Sequence, residues 1–262
     1  MGHYIFSGEF LQNPRRKEDK GFAFTVDEIM KIFVIGPAGC GKSSFVRSFS
    51  EYLKELEADV KCVNLDPASD PIYHADADIR KFVKTEKIMK KFGLGINGGL
   101  LKSMEESIKF HDKLSVDGDY VLYDTPGQME IFIYSRAGRE LVKLLSDQVS
   151  LGLFLIDSSL VDDPESFLSA IMQNVVVSLR LSIPTATVLT KSDVKDIDVD
   201  QIVRKISEES SSLAELLEKT VDFLEYTTLS QRVVKISNLS KTGFSDVYSL
   251  LNEMFCTCGD IS

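Results

Sequence analysis

Six short apolar runs recur along the chain, each followed by a turn and a segment of helical period: KIFVI (31–35), VKCVNL (60–65), YVLYD (120–124), VSLGLFLID (149–157), TATVLT (185–190) and RVVKI (232–236). β-Branched and aromatic residues dominate them, and none alternates cleanly between apolar and polar positions. They therefore read as strands buried on both faces. Between them the apolar residues fall three and four apart, the spacing of an amphipathic helix. Phe45, Phe49, Leu53 and Leu56 follow the first run. Phe167, Ile171, Val175 and Leu179 follow Asp162-Asp163-Pro164, where an acidic cap and a first-turn proline suit a helix start. Strand and helix in alternation predict an α/β fold of three layers, with a mainly parallel six-stranded sheet between helices.

The alternation is interrupted once, over about 67–117, a stretch longer than one crossover requires. KTEKIMKKF (84–92) and LLKSMEESIKFHDKL (100–114) read as two helices joined by GLGINGG (93–99), so a helical hairpin is inserted in the sheet order. Residues 1–29, with the mixed charges of RRKEDK, show no sustained period and read as a leader; a start at Met30 is the alternative. Residues 30–262 form the predicted domain.

At 262 residues and 44% hydrophobic, the chain can bury a sizeable core. A net charge of -10 and a pI near 4.9 exclude a general electrostatic grip on nucleic acid, so a phosphate ligand needs a local site. The longest apolar run, 149–156, falls short of the roughly 20 residues that cross a bilayer. Neither a secretory signal nor a myristoylation motif is seen, since Phe6 stands where Ser or Thr is required, and the expected compartment is the cytoplasm. Four scattered cysteines fit a reducing environment. Cys256 and Cys258 read as two thiols rather than half of a zinc site, which would need a second pair.

GPAGCGKS (36–43) fits G-x-x-x-x-G-K-[ST] and lies between a predicted strand and helix. The residues Gly39, Cys40, Gly41, Lys42, Ser43 and Ser44 are expected to hold a nucleotide. Backbone amides would wrap the β-phosphate, Lys42 would bridge the β and γ oxygens, and the Ser43 hydroxyl would bind Mg²⁺. In DTPGQ (124–128), Asp124 can hold the magnesium's water shell, and the Gly127 amide can turn onto a γ-phosphate because no side chain blocks it. NLDPA (64–68) places Asp66 at a strand's carboxyl edge, where it can orient an attacking water or join the metal shell. TKSD (190–193) supplies the base reader. Asp193 can accept from both N1-H and the exocyclic amine of guanine, donors that adenine lacks, and the Lys191 stem can lie over the ring. Thr190 stands where the usual motif has Asn and lacks the amide donor that ties the pocket together. SNLSKTG (237–243), with Asn238, lies where a backbone amide would close over the base.

GPAGCGKS, NLDPA, DTPGQ and TKSD in this order, with the helical insertion between the second and third, resemble the GPN-loop GTPases from about Met30 onward. The resemblance implies a P-loop NTPase fold, GTP as substrate with GDP as product, Mg²⁺, and a homodimer in which each insertion enters the partner's nucleotide site. The family's Gly-Pro-Asn corresponds here to Gly95-Ile96-Asn97, which keeps the asparagine and loses the proline. The implied catalytic set is Lys42, Asp66, Asn97 and Gly127, and the implied metal set is Ser43, Asp66 and Asp124. Related dimeric switches carry an extra lysine early in the phosphate loop where this chain has Pro37, so Asn97 acting in trans is expected to supply part of the missing stabilisation. Two other readings stand beside the GTPase switch. One is an assembly or targeting factor whose output is binding a client protein, not identified by the sequence; the other is a small-molecule kinase, disfavoured because no arginine-rich lid is evident.

Overall fold

The computed structural model describes residues 29–161, 163–199, 201, 202, 204 and 233–259. The leader at 1–28, Asp162, Arg232 and the side chains of Cys256 and Cys258 lie outside the described residues. One sheet holds β1 Met30–Ile35, β2 Val60–Asn64, β3 Ala77–Asp78, β4 Tyr120–Asp124, β5 Ser150–Asp157, β6 Thr185–Thr190 and β7 Val234–Lys235. Their order is β3-β2-β4-β1-β5-β6-β7, and every pairing is parallel. β1 lies between β4 and β5, so the chain leaves it toward one edge first and the other later. The crevice at the carboxyl ends of the strands beside such a reversal is where ligands bind in open α/β sheets.

Successive β1 residues point to opposite faces, and both faces are covered. Phe33 and Ile35 enter a core with Val63, Tyr123, Phe154 and Ile156 beneath α5 Met129–Tyr134, α6 Arg136–Leu145 and α7 Pro164–Leu181. Ile32 and Val34 enter the other core with α1 Lys42–Glu55 and α8 Phe244–Gly259. There Phe45 stacks on Phe49 at 5.0 Å, and the Phe244 ring meets Phe49 edge-on at 5.7 Å. Each such ring contributes about 2–3 kcal/mol by burial, which explains why strands without alternation are stable here.

Three expectations are corrected. The sheet has seven strands, not six: Ala77–Asp78, too short to carry a pattern, pairs in parallel with Val63 and Asn64 and adds an edge strand from within the insertion. Leu56 and Leu179 are exposed, because α1 ends at Glu55 and the spacing of four drifts off the buried face of α7, where Leu168, Val177 and Leu181 are buried. RVVKI narrows to Val234–Lys235. The cap of α7 holds as expected, with Asp163 accepting from Ser166 N at 2.8 Å and Pro164 in the first turn.

The insertion contains α2 Thr85–Phe92, α3 Ile96–Ser107 and α4 His111–Leu114. GLGINGGL is therefore not one continuous glycine loop. Only 93–95 join the helices, and Gly98 and Gly99 lie inside α3 despite their poor helix propensity. Helix packing explains the second of them: a Cβ on Gly99 would sit 2.3 Å from Met89 Cγ and 3.4 Å from Thr85 Cγ2, so its absence lets α2 and α3 close together. Ile96 and Asn97 open α3 as exposed first-turn residues.

Candidate functional site

The phosphate loop joins β1 to α1. Gly41, in the left-handed conformation at φ 94°, forms the N-cap of α1, and no side chain caps the helix. The first-turn amides are thereby left to an anion. Lys42, almost fully buried, donates from Nζ to Gly36 O at 2.7 Å and Pro37 O at 3.0 Å, arching back over the loop. A cavity of about 370 Å³ opens at the carboxyl ends of β1, β2 and β4. The loop residues Gly39 to Ser44, without Cys40, line one side, and Asp66, Asp124 and Gly127 line the other. Cys40 is buried, and burial pushes its thiol upward, so only its backbone serves the site.

Asp124 ends β4 and is buried. Burial raises its carboxyl to about 6, opposed by the nearby hydroxyls of Ser43 and Tyr73. The Tyr73 hydroxyl donates to Oδ2 at 3.1 Å, while Oδ1 has no hydrogen-bond partner. An orphaned, buried carboxylate oxygen beside the Ser43 hydroxyl is a position that a small hard cation would satisfy. No group of three carboxylate, cysteine or histidine side chains that could hold a metal occurs among the described residues. The donor set fits a Mg²⁺ held in part by substrate phosphates, which does not need an all-protein cage.

Asp66 Oδ1 accepts from Ala68 N at 2.8 Å, and Oδ2 accepts from Gly127 N at 3.3 Å. The Gly127 amide, expected to face a γ-phosphate, is thus turned onto Asp66 in this structure. The two strand ends are joined through one carboxylate. Asn64, absent from the predicted set, holds both peptide groups of Asp66: its Oδ1 accepts from Asp66 N at 3.0 Å, and its Nδ2 donates to Asp66 O at 3.3 Å and Asp78 Oδ1 at 2.9 Å. Its place in NLDPA at a strand end was the available signal. Tyr73 had none, because its partner lies 51 residues away.

At the base end, Thr190 makes a tie of its own. Its hydroxyl donates to Cys40 O at 2.8 Å and lies 3.2 Å from Ile156 O, so the tie to the phosphate loop is made without an asparagine amide. Lys191 pairs with Asp157 at 2.5 Å, which fixes the stem expected to flank the base. Asp193 is exposed beside them. Asn238 Nδ2 makes a long contact to Gly41 O at 3.5 Å. Asn97 is not brought to this cavity: the residues lining it include none from the hairpin.

The sequence and the fold are similar to those of known proteins. A family model described as "Conserved hypothetical ATP binding protein" matches residues 34–257. GPN-loop GTPase 3 of Danio rerio is 30% identical over 83% of this chain and 78% of its own length. The GPN-loop GTPase PAB0955 of Pyrococcus abyssi is 29% identical over 89% of this chain and 100% of its own. The chain belongs to the GPN-loop GTPase family. A crystal structure of PAB0955, titled a GTPase in apo form, superposes with a TM-score of 0.75 at 28% identity, covering 87% of this chain and 98% of that one. As a GPN-loop GTPase family member, the chain departs from the name-giving tripeptide at Ile96.

Proposed function

We propose that this chain hydrolyses GTP to GDP and phosphate with Mg²⁺, acting as a dimer in which each hairpin tip serves the partner's nucleotide. The observation that carries the chemistry is the convergence of Lys42, Ser43, Asp66, Asp124 and Gly127 on one cavity. Lys42 gives up its loop carbonyls to neutralise the β and γ oxygens, and the free amides at the start of α1 hold the β-phosphate. Ser43 and Asp124 would hold a Mg²⁺ ion, which would supply charge neutralisation on the phosphates. Asp66 accepts a hydrogen bond from the attacking water and aims it at the γ-phosphorus. The new P–O bond forms as the bond from the γ-phosphorus to the β–γ bridging oxygen breaks; GDP leaves with that oxygen, and the water's proton passes to the inorganic phosphate formed. Water and the γ-phosphate compete with Asp66 for the Gly127 amide, so substrate entry releases a contact between two strand ends.

Guanine is preferred over adenine because Asp193 accepts from two donors that adenine lacks. The support is the fixed neighbourhood of Asp193, with Lys191 pinned to Asp157 and Thr190 pinned to the phosphate loop. Asp193→Asn is expected to weaken GTP binding by tenfold or more and to improve xanthosine triphosphate binding; unchanged selectivity would remove Asp193 from base reading.

The dimeric part of the reading is supported by the exposed position of Asn97 at the start of α3, outside the cavity of its own chain. A neutral amide is expected to contribute less than an arginine finger, whose effect is about 10³ to 10⁵ in turnover. A second reading, a nucleotide-dependent assembly or targeting factor with a client protein, draws on an apolar groove of about 550 Å³ between α5 and α7. Met129, Ile133, Leu168 and Met172 line it, and α5 follows directly from DTPGQ, so its position can report the state of the nucleotide site. Both readings share the same hydrolytic cycle.

A further inference from the structure

The carboxylates that line the nucleotide cavity, Asp66, Asp70 and Asp124, differ in what they can still accept. Asp66 takes a backbone amide on each oxygen, from Ala68 and from Gly127. Asp70 is exposed and pairs with Arg80. Asp124 is buried, and its Oδ1 is the one buried carboxylate oxygen without a hydrogen-bond partner among the described residues. Its other oxygen, Oδ2, accepts from the Tyr73 hydroxyl at 3.1 Å. One carboxylate is therefore divided: Tyr73 ties one oxygen and leaves the other open.

The tie is held by a stiff frame rather than by a free loop. Three residues beyond Tyr73, Asp76 is bonded twice to Cys62 of β2: its amide donates to Cys62 O at 2.8 Å, and its Oδ2 accepts from Cys62 N at 2.8 Å. β3 then continues the pairing along β2. The Tyr73 ring packs against the core that includes Phe45 and Phe49 of α1, and it does not line the cavity. The hydroxyl thus reaches Asp124 from outside the space that a nucleotide would fill.

A carboxylate held in this way offers a cation one oxygen. Turning it to present both would break the bond from Tyr73 and leave a hydroxyl unpaired in a partly buried place. Mg²⁺ accepts such a site, because it needs one carboxylate oxygen and completes a small octahedron with waters and phosphate oxygens. Ca²⁺ is larger, gathers about six to eight oxygens and often takes a carboxylate by both. With Asp66 and Asp70 already engaged, no second carboxylate of the cavity stands ready to make up that number.

We infer that Tyr73 is the positioning residue that sets which cation the site takes: by holding Asp124 Oδ2 it restricts the carboxylate to one oxygen and so selects Mg²⁺ over Ca²⁺. This rests on the Mg²⁺-dependent reading above and assigns its metal selectivity to a side chain outside the cavity.

The test is binding of N-methylanthraniloyl-GDP, a fluorescent nucleotide, to the full chain, in EDTA and then over titrations with MgCl₂ and with CaCl₂, for the wild type and for Tyr73→Phe. The concentration of each ion that gives half of its tightening of nucleotide binding is the quantity read. Phe keeps the ring and its packing; circular dichroism checks the fold, and Tyr73→Met, of similar bulk and without a donor, replaces it if the fold is lost. In the wild type the Ca²⁺ value should exceed the Mg²⁺ value by at least about tenfold, and in Tyr73→Phe that ratio should shrink by at least about fivefold. A ratio unchanged by the substitution would overturn the inference while leaving Mg²⁺ at the site. Equal weakening of both ions would do the same, since that is the effect of a tyrosine that only supports the structure. A wild type that responds equally to the two ions would remove the selectivity itself. A wild type whose nucleotide affinity responds to neither ion would overturn the Mg²⁺ reading and the inference with it.

Discussion

Asp124 is a carboxylate whose ionised form the protein holds at a cost. Its folded value, about 6, lies above the unfolded value near 3.8, with burial as the first cause. The associated stability is fully present below the unfolded value and is lost as pH rises through about 6. Asp124→Asn is therefore expected to raise the unfolding free energy of the nucleotide-free protein, read from urea titration, by on the order of 3 kcal/mol at pH 8 and to change it little at pH 4. It should abolish Mg²⁺-dependent tightening of nucleotide binding at pH 8. A less stable variant at pH 8 would show that the carboxylate is not strained. Thr190→Val tests a different residue: it removes the hydroxyl bonded to Cys40 O and leaves a buried carbonyl with one partner fewer. A loss of about 1–3 kcal/mol, seen together in folding stability and GTP affinity, is expected; stability without a change in affinity would limit Thr190 to the core. The convergence of the phosphate loop, Asp66 and Asp124 on one cavity was legible because their spacing carries the chemistry. Asn64 and Tyr73 were not, since each acts on a neighbour, and the Tyr73–Asp124 contact depends on where a loop lies over β4.

Among the elements, strands and most helices were legible because burial on both faces writes an apolar run and burial on one face writes a period. The misses lie where packing overrides local preference. β3 has two residues and exists by its pairing with β2. The glycines at 98 and 99 predict a break, yet both lie within α3, and at Gly99 the close approach of Met89 leaves no room for a Cβ. Gly99→Leu should therefore cost about 1–3 kcal/mol by overpacking, although leucine is the better helix former. A gain in thermal midpoint would show that α2 and α3 do not need their present separation. The same substitution moves the hairpin tip, so dimer-dependent turnover should fall with it.

At the scale of the molecule, the reversal of strand order at β1 gathers four sequence-distant motifs at one edge of the sheet, and the insertion projects a fifth, GINGG, away from it. That geometry separates two effects. Lys42→Ala should lose nucleotide binding by at least about a hundredfold, since it removes the cavity's cation. Asn97→Ala should keep binding and lose turnover, the signature of a contact made only as the γ-phosphate departs. Full turnover in Asn97→Ala would make the hairpin tip structural. Phosphate release by the wild-type chain from GTP and from ATP, measured side by side with Mg²⁺ and again with the metal chelated, tests the central claim most directly. Metal-dependent release from GTP, at least tenfold faster than from ATP, is the predicted result; equal or faster release from ATP, or release that survives chelation, would contradict it.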